Sequence, residues 1–254
     1  MRKFWGFYDN GKYRVGCNGA TMYLYDADDH ELARFKVIPY AYQGTFKPRS
    51  NIFVLRSTEG RLAVYDFDER KLLRKFRFSD VDGSQDDGFC FSPDGNFFFN
   101  IERTGSSLCT RLSIYETGSF SPVKRLFEAD RSLVLCDIEY SASVNDYTVL
   151  FFVRDTQGIY NQGYVGRLAE DQIVHKQPLS KKAFDFLRCC KSLRSFGFTE
   201  KSMKWSGLHY DGLTNEEILT LRDKNFDMAS FPQIAEQMIK EYSKGNMIQF
   251  RCQK

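Results

Sequence analysis

RLAVYDFDERKLLRKFRF, residues 61–78, has a close echo upstream. Residues 21–37 read TMYLYDADDHELARFKV, with Tyr25-Asp26 standing 40 positions before Tyr65-Asp66. Self-similarity at that period marks an array of small sheets, in which each repeat is one unit that cannot bury its apolar face alone. Leu62 and Val64 alternate with Arg61, Ala63 and Tyr65, the period of a strand with one packed face.

Working outward, strands are expected at 3–8, 12–16, 21–25 and 31–37, with Asn10-Gly11 and Asn18-Gly19 as hairpin turns of type I′, which needs positive φ at both central residues. The next unit repeats the plan at 40–46, 51–56, 61–65 and 71–78. A third begins at Phe89 and turns through Ser92-Pro93-Asp94-Gly95, where Pro93 fixes φ and Gly95 supplies positive φ. A fourth covers 135–176. Four short antiparallel strands in about 40 residues make one propeller blade.

The period then changes. Residues 181–195 place Ala183, Phe186, Leu187, Cys190 and Leu193 on one helical face. Thr214-Asn215-Glu216-Glu217 and Ser230-Phe231-Pro232-Gln233 have the capping-box pattern of helix starts, and residues 196–213 read as a hairpin or an irregular strap. The expected organisation is a repeat domain over 1–178 and a helical C-terminal extension over 179–254.

Phe91-Ser92-Pro93-Asp94-Gly95-Asn96, together with Leu62-Ala63-Val64-Tyr65-Asp66 ahead of Lys71-Leu72-Leu73, resembles the WD40 and related propeller families. The resemblance covers residues 1–178 and implies a mainly β, WD40-like β-propeller of about four blades. Tyr-Asp or Tyr-Glu stands where that family has Trp-Asp, and its Gly-His dipeptide is missing.

Composition fits a β-rich globular chain: 254 residues, 42% apolar and 16% aromatic, the aromatics mostly Phe and Tyr. A net charge of +3 is too mild to drive nucleic-acid binding by counterion release. Seven scattered cysteines with no CxxC pair read as free thiols of a reducing compartment. No secretion signal is expected, and apolar runs such as 149–153 have strand length rather than membrane-spanning length. The expectation is a cytoplasmic monomer or dimer without nucleic-acid or membrane partners.

Catalytic signals are sparse. His30, His175 and His209 are far apart, and no P-loop, GxGxxG, GxSxG or HExxH string occurs. Asp80, Asp82, Asp86 and Asp87 share a loop but lack EF-hand spacing, so a solvated loop is expected. Lys181, Lys182, Arg188, Lys191 and Arg194 make the most basic segment, read mainly as the polar face of a docked helix.

The reading that follows is a non-enzymatic protein-protein interaction module or scaffold, such as an immunity protein that inhibits a toxin, with another protein as partner and no cofactor, catalytic residue or metal ligand. Aromatic and Arg side chains suit such interfaces, which nominates Tyr8, Tyr42, Tyr160, Tyr164, Lys181, Arg188, Lys191 and Arg194 as contacts. The alternative is a hydrolase or lyase with a carboxylate-lined pocket.

Overall fold

A computed structural model of the chain describes residues 4, 6–79, 88–105, 109–158, 160–184, 187–188, 227–233 and 235. These fall into two compact units, which divide between residues 79 and 88, with 227–235 belonging to the second.

The first unit is a single seven-stranded antiparallel sheet of β1 (Gly6–Asp9), β2 (Tyr13–Cys17), β3 (Gly19–Asp26), β4 (Glu31–Phe46), β5 (Ile52–Ser57), β6 (Arg61–Asp66) and β7 (Lys71–Arg77), in sequence order. The Asn-Gly hairpins are present, but only Gly11 and Gly19 take positive φ, at 87° and 89°. Asn10 contributes its side chain instead, its Oδ1 accepting hydrogen bonds from the amides of Lys12 (3.1 Å) and Tyr13 (2.8 Å). Asn18 does the same for Thr21 at 3.1 Å. The conformational burden falls on the residue without a Cβ, and the asparagine satisfies the amides that the turn leaves open.

The 16-residue β4 is the main departure from the repeat. Its first half pairs with β3 from Glu31 to Lys36, and its second half pairs with β5 from Ala41 to Phe46. The break expected after residue 37 is absent, because no Gly or Asn turn chemistry separates the halves. Pro39, which has no N–H for a ladder, sits where the strand changes partner, and Tyr40 bends the chain there with a φ of 52°. Two would-be blades therefore share one strand and one sheet.

The second unit holds two four-stranded sheets. One contains β8 (Phe89–Phe91), β9 (Phe97–Thr104), β10 (Cys109–Glu116) and β11 (Ser121–Leu126), in the order β11-β10-β9-β8. The other runs in sequence order through β12 (Leu133–Ser141), β13 (Asp146–Arg154), β14 (Tyr160–Ala169) and β15 (Gln172–Leu179). The tight turn after β8 forms as its sequence predicts: Gly95 has a φ of 75°, and Ser92 Oγ accepts from the Phe97 amide at 2.9 Å.

None of the three sheets closes on itself among the described residues. This overturns the WD40-like propeller of about four blades. The strands and turns of a blade are local features, whereas closure requires sheets arranged radially, and here the eight strands expected over residues 3–78 form one open sheet of seven. The helical C-terminal extension is also corrected, since helix among the described residues is confined to 181–184, 187–188, 231–233 and 235. The rest of the expected helices and the strap at 196–213 lie outside the described residues. Where the first helix is described, Ser180 Oγ accepts from the Ala183 amide at 3.2 Å, and Ala183, Phe184 and Leu187 are buried. Asp227, not Ser230, starts the second, its Oδ1 accepting from the Ser230 amide at 2.9 Å.

Each unit has its own core. In the first, Phe53, Tyr65 and Phe67 form a run of stacked rings, with centroids of Phe53 and Phe67 5.4 Å apart, above Val15, Met22, Leu24 and Leu55. In the second, Phe99, Ile101, Leu112, Leu135, Val149 and Phe151 join the two sheets in one cluster. Burying each such side chain contributes roughly 1.5–3 kcal/mol, which is what makes these strands hold a register.

Candidate functional site

The turn between β3 and β4 carries the sequence Asp26-Ala27-Asp28-Asp29-His30. Asp26 ends β3 and organises the turn: its Oδ1 accepts from the amides of Asp28 and His30, both at 2.9 Å. Its Oδ2 lies 3.1 Å from His30 Nδ1. Asp29 completes the reversal with a φ of 69° and pairs with Arg14, which also binds Asp9 at 3.0 Å. The backbone hydrogen bond from His30 is the main influence holding the Asp26 carboxyl below its usual range, against a smaller opposing effect of desolvation and with further help from the His30 side chain.

These contacts bring one donor atom each from Asp26, Asp28 and His30 within 4.8 Å of one another, with Asp28 and His30 exposed. Asp26 Oδ2 and His30 Nδ1, 3.1 Å apart, are donor types that could hold a shared cation. Imidazole combined with carboxylates favours first-row divalent ions over calcium, which prefers oxygen alone. Exposure leaves further coordination positions to water or substrate.

Among the described residues this grouping occurs in one turn, and the repeat shows why. At the corresponding positions after β6 stand Asp66, Asp68 and Arg70, so a guanidinium replaces the imidazole. Asp66 still accepts from the Glu69 amide at 3.1 Å, and Glu116 after β10 accepts from the amides of Gly118 (2.6 Å) and Ser119 (2.8 Å). The strand-ending acid is thus a turn former in all three places, and His30 is what adds donor chemistry in the first. Asp68 serves a different purpose, accepting from Lys12 Nζ at 2.5 Å, Asn51 Nδ2 at 2.8 Å and Tyr13 OH at 3.0 Å.

His30 stands far from the other two histidines and belongs to no HExxH string, so nothing in histidine spacing singles it out. The Asp-x-Asp-x-His pattern across a tight turn was the available signal. Of the nominated contacts, Tyr8 is buried in the first core, its ring centroid 5.3 Å from that of Phe53. Tyr164 is half-buried and stacks on Phe151, with centroids 5.5 Å apart. Tyr42 and Tyr160 lie on β4 and β14, Lys181 is exposed and Arg188 half-buried. Lys191 and Arg194, like the acidic loop 80–87, lie outside the described residues. Among the described residues no helix is long and apolar enough to cross a membrane.

No protein-family profile matches the sequence, and no curated protein matches it. Among solved structures, the chain is similar to Kuenenia stuttgartiensis hydrazine synthase, with a TM-score of 0.52 and 14% identity over 68% of this chain. The match spans 47% of that chain's length, about half. The likeness is one of fold. The Asp26, Asp28 and His30 grouping is what overturns the expectation of a strictly non-enzymatic scaffold or immunity-type inhibitor: three side chains that could hold a metal ion stand together in one turn.

Proposed function

We propose that the chain is a metal-dependent enzyme of hydrolase or lyase type, with a divalent first-row ion held at the β3–β4 turn by Asp26, Asp28 and His30. The observation that carries this reading is the convergence of their three donor atoms within 4.8 Å. Such an ion supplies Lewis acidity and a more acidic bound water. The chain's own residues do the rest. The turn amides fix Asp26 so that one oxygen remains directed toward His30, and Arg14 draws Asp29 aside into an ion pair. A cytoplasmic setting accords with the four described cysteines, Cys17, Cys90, Cys109 and Cys136, none of which is joined to another by a disulfide.

Calorimetric titration with zinc and with manganese tests the site, followed by a panel of chromogenic esters, phosphoesters and glycosides assayed with the bound ion. One ion per chain is expected, with binding weakened at least about tenfold by His30→Ala or Asp28→Asn. Because histidine ligates as the neutral imidazole, affinity falls as the solution is acidified. Undiminished binding in both variants, or none to the wild-type chain, refutes the site. Binding without turnover of any substrate class refutes the enzymatic part.

A further inference from the structure

A pair of tyrosines in the other unit, at the end of the β12–β13 hairpin, stands independently of the turn site. Tyr140 and Tyr147 lie directly opposite each other across that hairpin. Their rings meet at 74° with centroids 5.5 Å apart, so the two faces form the walls of a corner. Both side chains are only half-buried, which leaves part of each ring at the surface.

Each wall is held in place. Tyr140 OH donates to Oδ1 of Asn145 in the hairpin turn. Phe99 lies against Tyr147 with centroids 4.2 Å apart, and is itself buried in the core that joins the two sheets. Among the described residues no Lys or Arg side chain lies over either ring. Arg167 turns instead to Asp146, donating to its Oδ2 from Nη2 at 2.8 Å and from Nε at 3.2 Å.

The surroundings are anionic. Burial first, and then Cys90, Asp94, Tyr140 and Asp146, push the Tyr147 phenol up. Arg167 neutralises Asp146, whereas the exposed Asp94 is bonded, among the described residues, by uncharged donors: Ser92 Oγ at 2.5 Å, the Asn96 amide at 3.0 Å and Asn96 Nδ2 at 2.8 Å. Ser92 first, and then Asn96, hold its carboxyl below the usual range, so it keeps its charge at neutral pH. Two ring faces of partial negative charge beside an unneutralised carboxylate attract a cation. An alkylated ammonium suits them, because its methyl groups pack on both walls while its charge faces the rings.

We propose that the Tyr140–Tyr147 corner binds an organic cation of the quaternary-ammonium class, with Asp94 adding longer-range attraction. Choline is the probe for a free ligand and acetylated trimethyllysine amide for a peptide-borne one, and choline's uncharged tert-butyl isostere is the control. Binding to the full chain is followed by NMR titration. At least one of the two cations should bind, with the isostere at least about tenfold weaker than choline, and the tighter cation names the source. Tyr147→Leu should weaken that binding about tenfold, whereas Tyr147→Phe should keep it, since the ring and not the hydroxyl makes the contact. Asp94→Asn should lower both the affinity and its sensitivity to salt. Thermal transitions check that the variants fold, and the comparison of choline with its isostere uses the wild-type chain alone. If neither cation binds at concentrations on the order of tens of millimolar, if the isostere binds as tightly as the cations, or if a folded Tyr147→Leu chain binds undiminished, the site is refuted.

Discussion

Asp68 receives hydrogen bonds from Lys12, Asn51 and Tyr13, so it joins the β1–β2, β4–β5 and β6–β7 turns at one end of the first sheet. Lys12 first, then Asn51 and Tyr13, hold its carboxyl down at about 2. The folded value is thus depressed below that of the unfolded chain, near 3.9, so the stability it contributes is complete above roughly pH 4 and is lost as pH falls toward 2. Urea midpoints measured across that window should decline in the wild-type chain and decline less steeply in Asp68→Asn. The group is exposed, so the difference is expected to be small. The neighbouring turn illustrates what could be read at this scale. Asp26 is legible as the acid that ends a strand, because Asp and Asn side chains bond turn amides. The donor set was not legible, because it depends on how tightly the turn brings His30 back to Asp26, which residue spacing alone does not state.

Strands and turns follow from alternation and from Asn-Gly or Pro-Asp-Gly chemistry, and nearly every one expected between residues 6 and 179 forms close to its predicted place. The length of β4 could not be read, because the 40-residue period implies a boundary there and nothing local contradicts it. Contacts between elements are a further layer. Gly163 on β14 lies under Phe184, and a Cβ at that position would stand 2.1 Å from Phe184 Cδ2. Gly163→Ala should therefore destabilise the second unit by about 1–3 kcal/mol, the usual cost of overpacking, read as a lower denaturant midpoint with the slope unchanged. At the edge of the first sheet, β7 exposes Leu72 and Leu73 but surrounds them with Lys71, Arg74, Lys75 and Arg77. Charges on an edge strand oppose pairing with another chain, a safeguard that an open sheet requires and a closed ring does not.

For the whole molecule, composition and pattern established a β-rich chain with a substantial core, whereas openness or closure of the sheets was not encoded in any one repeat. Four strands with a packed face serve a blade or an extended sheet equally well, and the choice is made where repeats meet. Here Pro39 and Tyr40 carry the strand onward. The first core depends heavily on Phe67, fully buried between Phe53 and Tyr65. Phe67→Ala should cost about 3–5 kcal/mol, measured by chemical denaturation followed through near-ultraviolet circular dichroism.

The sheet orders hold one more consequence, for the time course of assembly. Every ladder joins strands adjacent in sequence, so only short loops must close before contacts reward them. Each strand can therefore dock on the one synthesised before it as the chain leaves the ribosome. Beyond Ala41, which pairs with Gly19, the second half of β4 must wait until Ile52–Ser57 emerges to meet it, as β8 and β12, which begin their sheets, wait for β9 and β13.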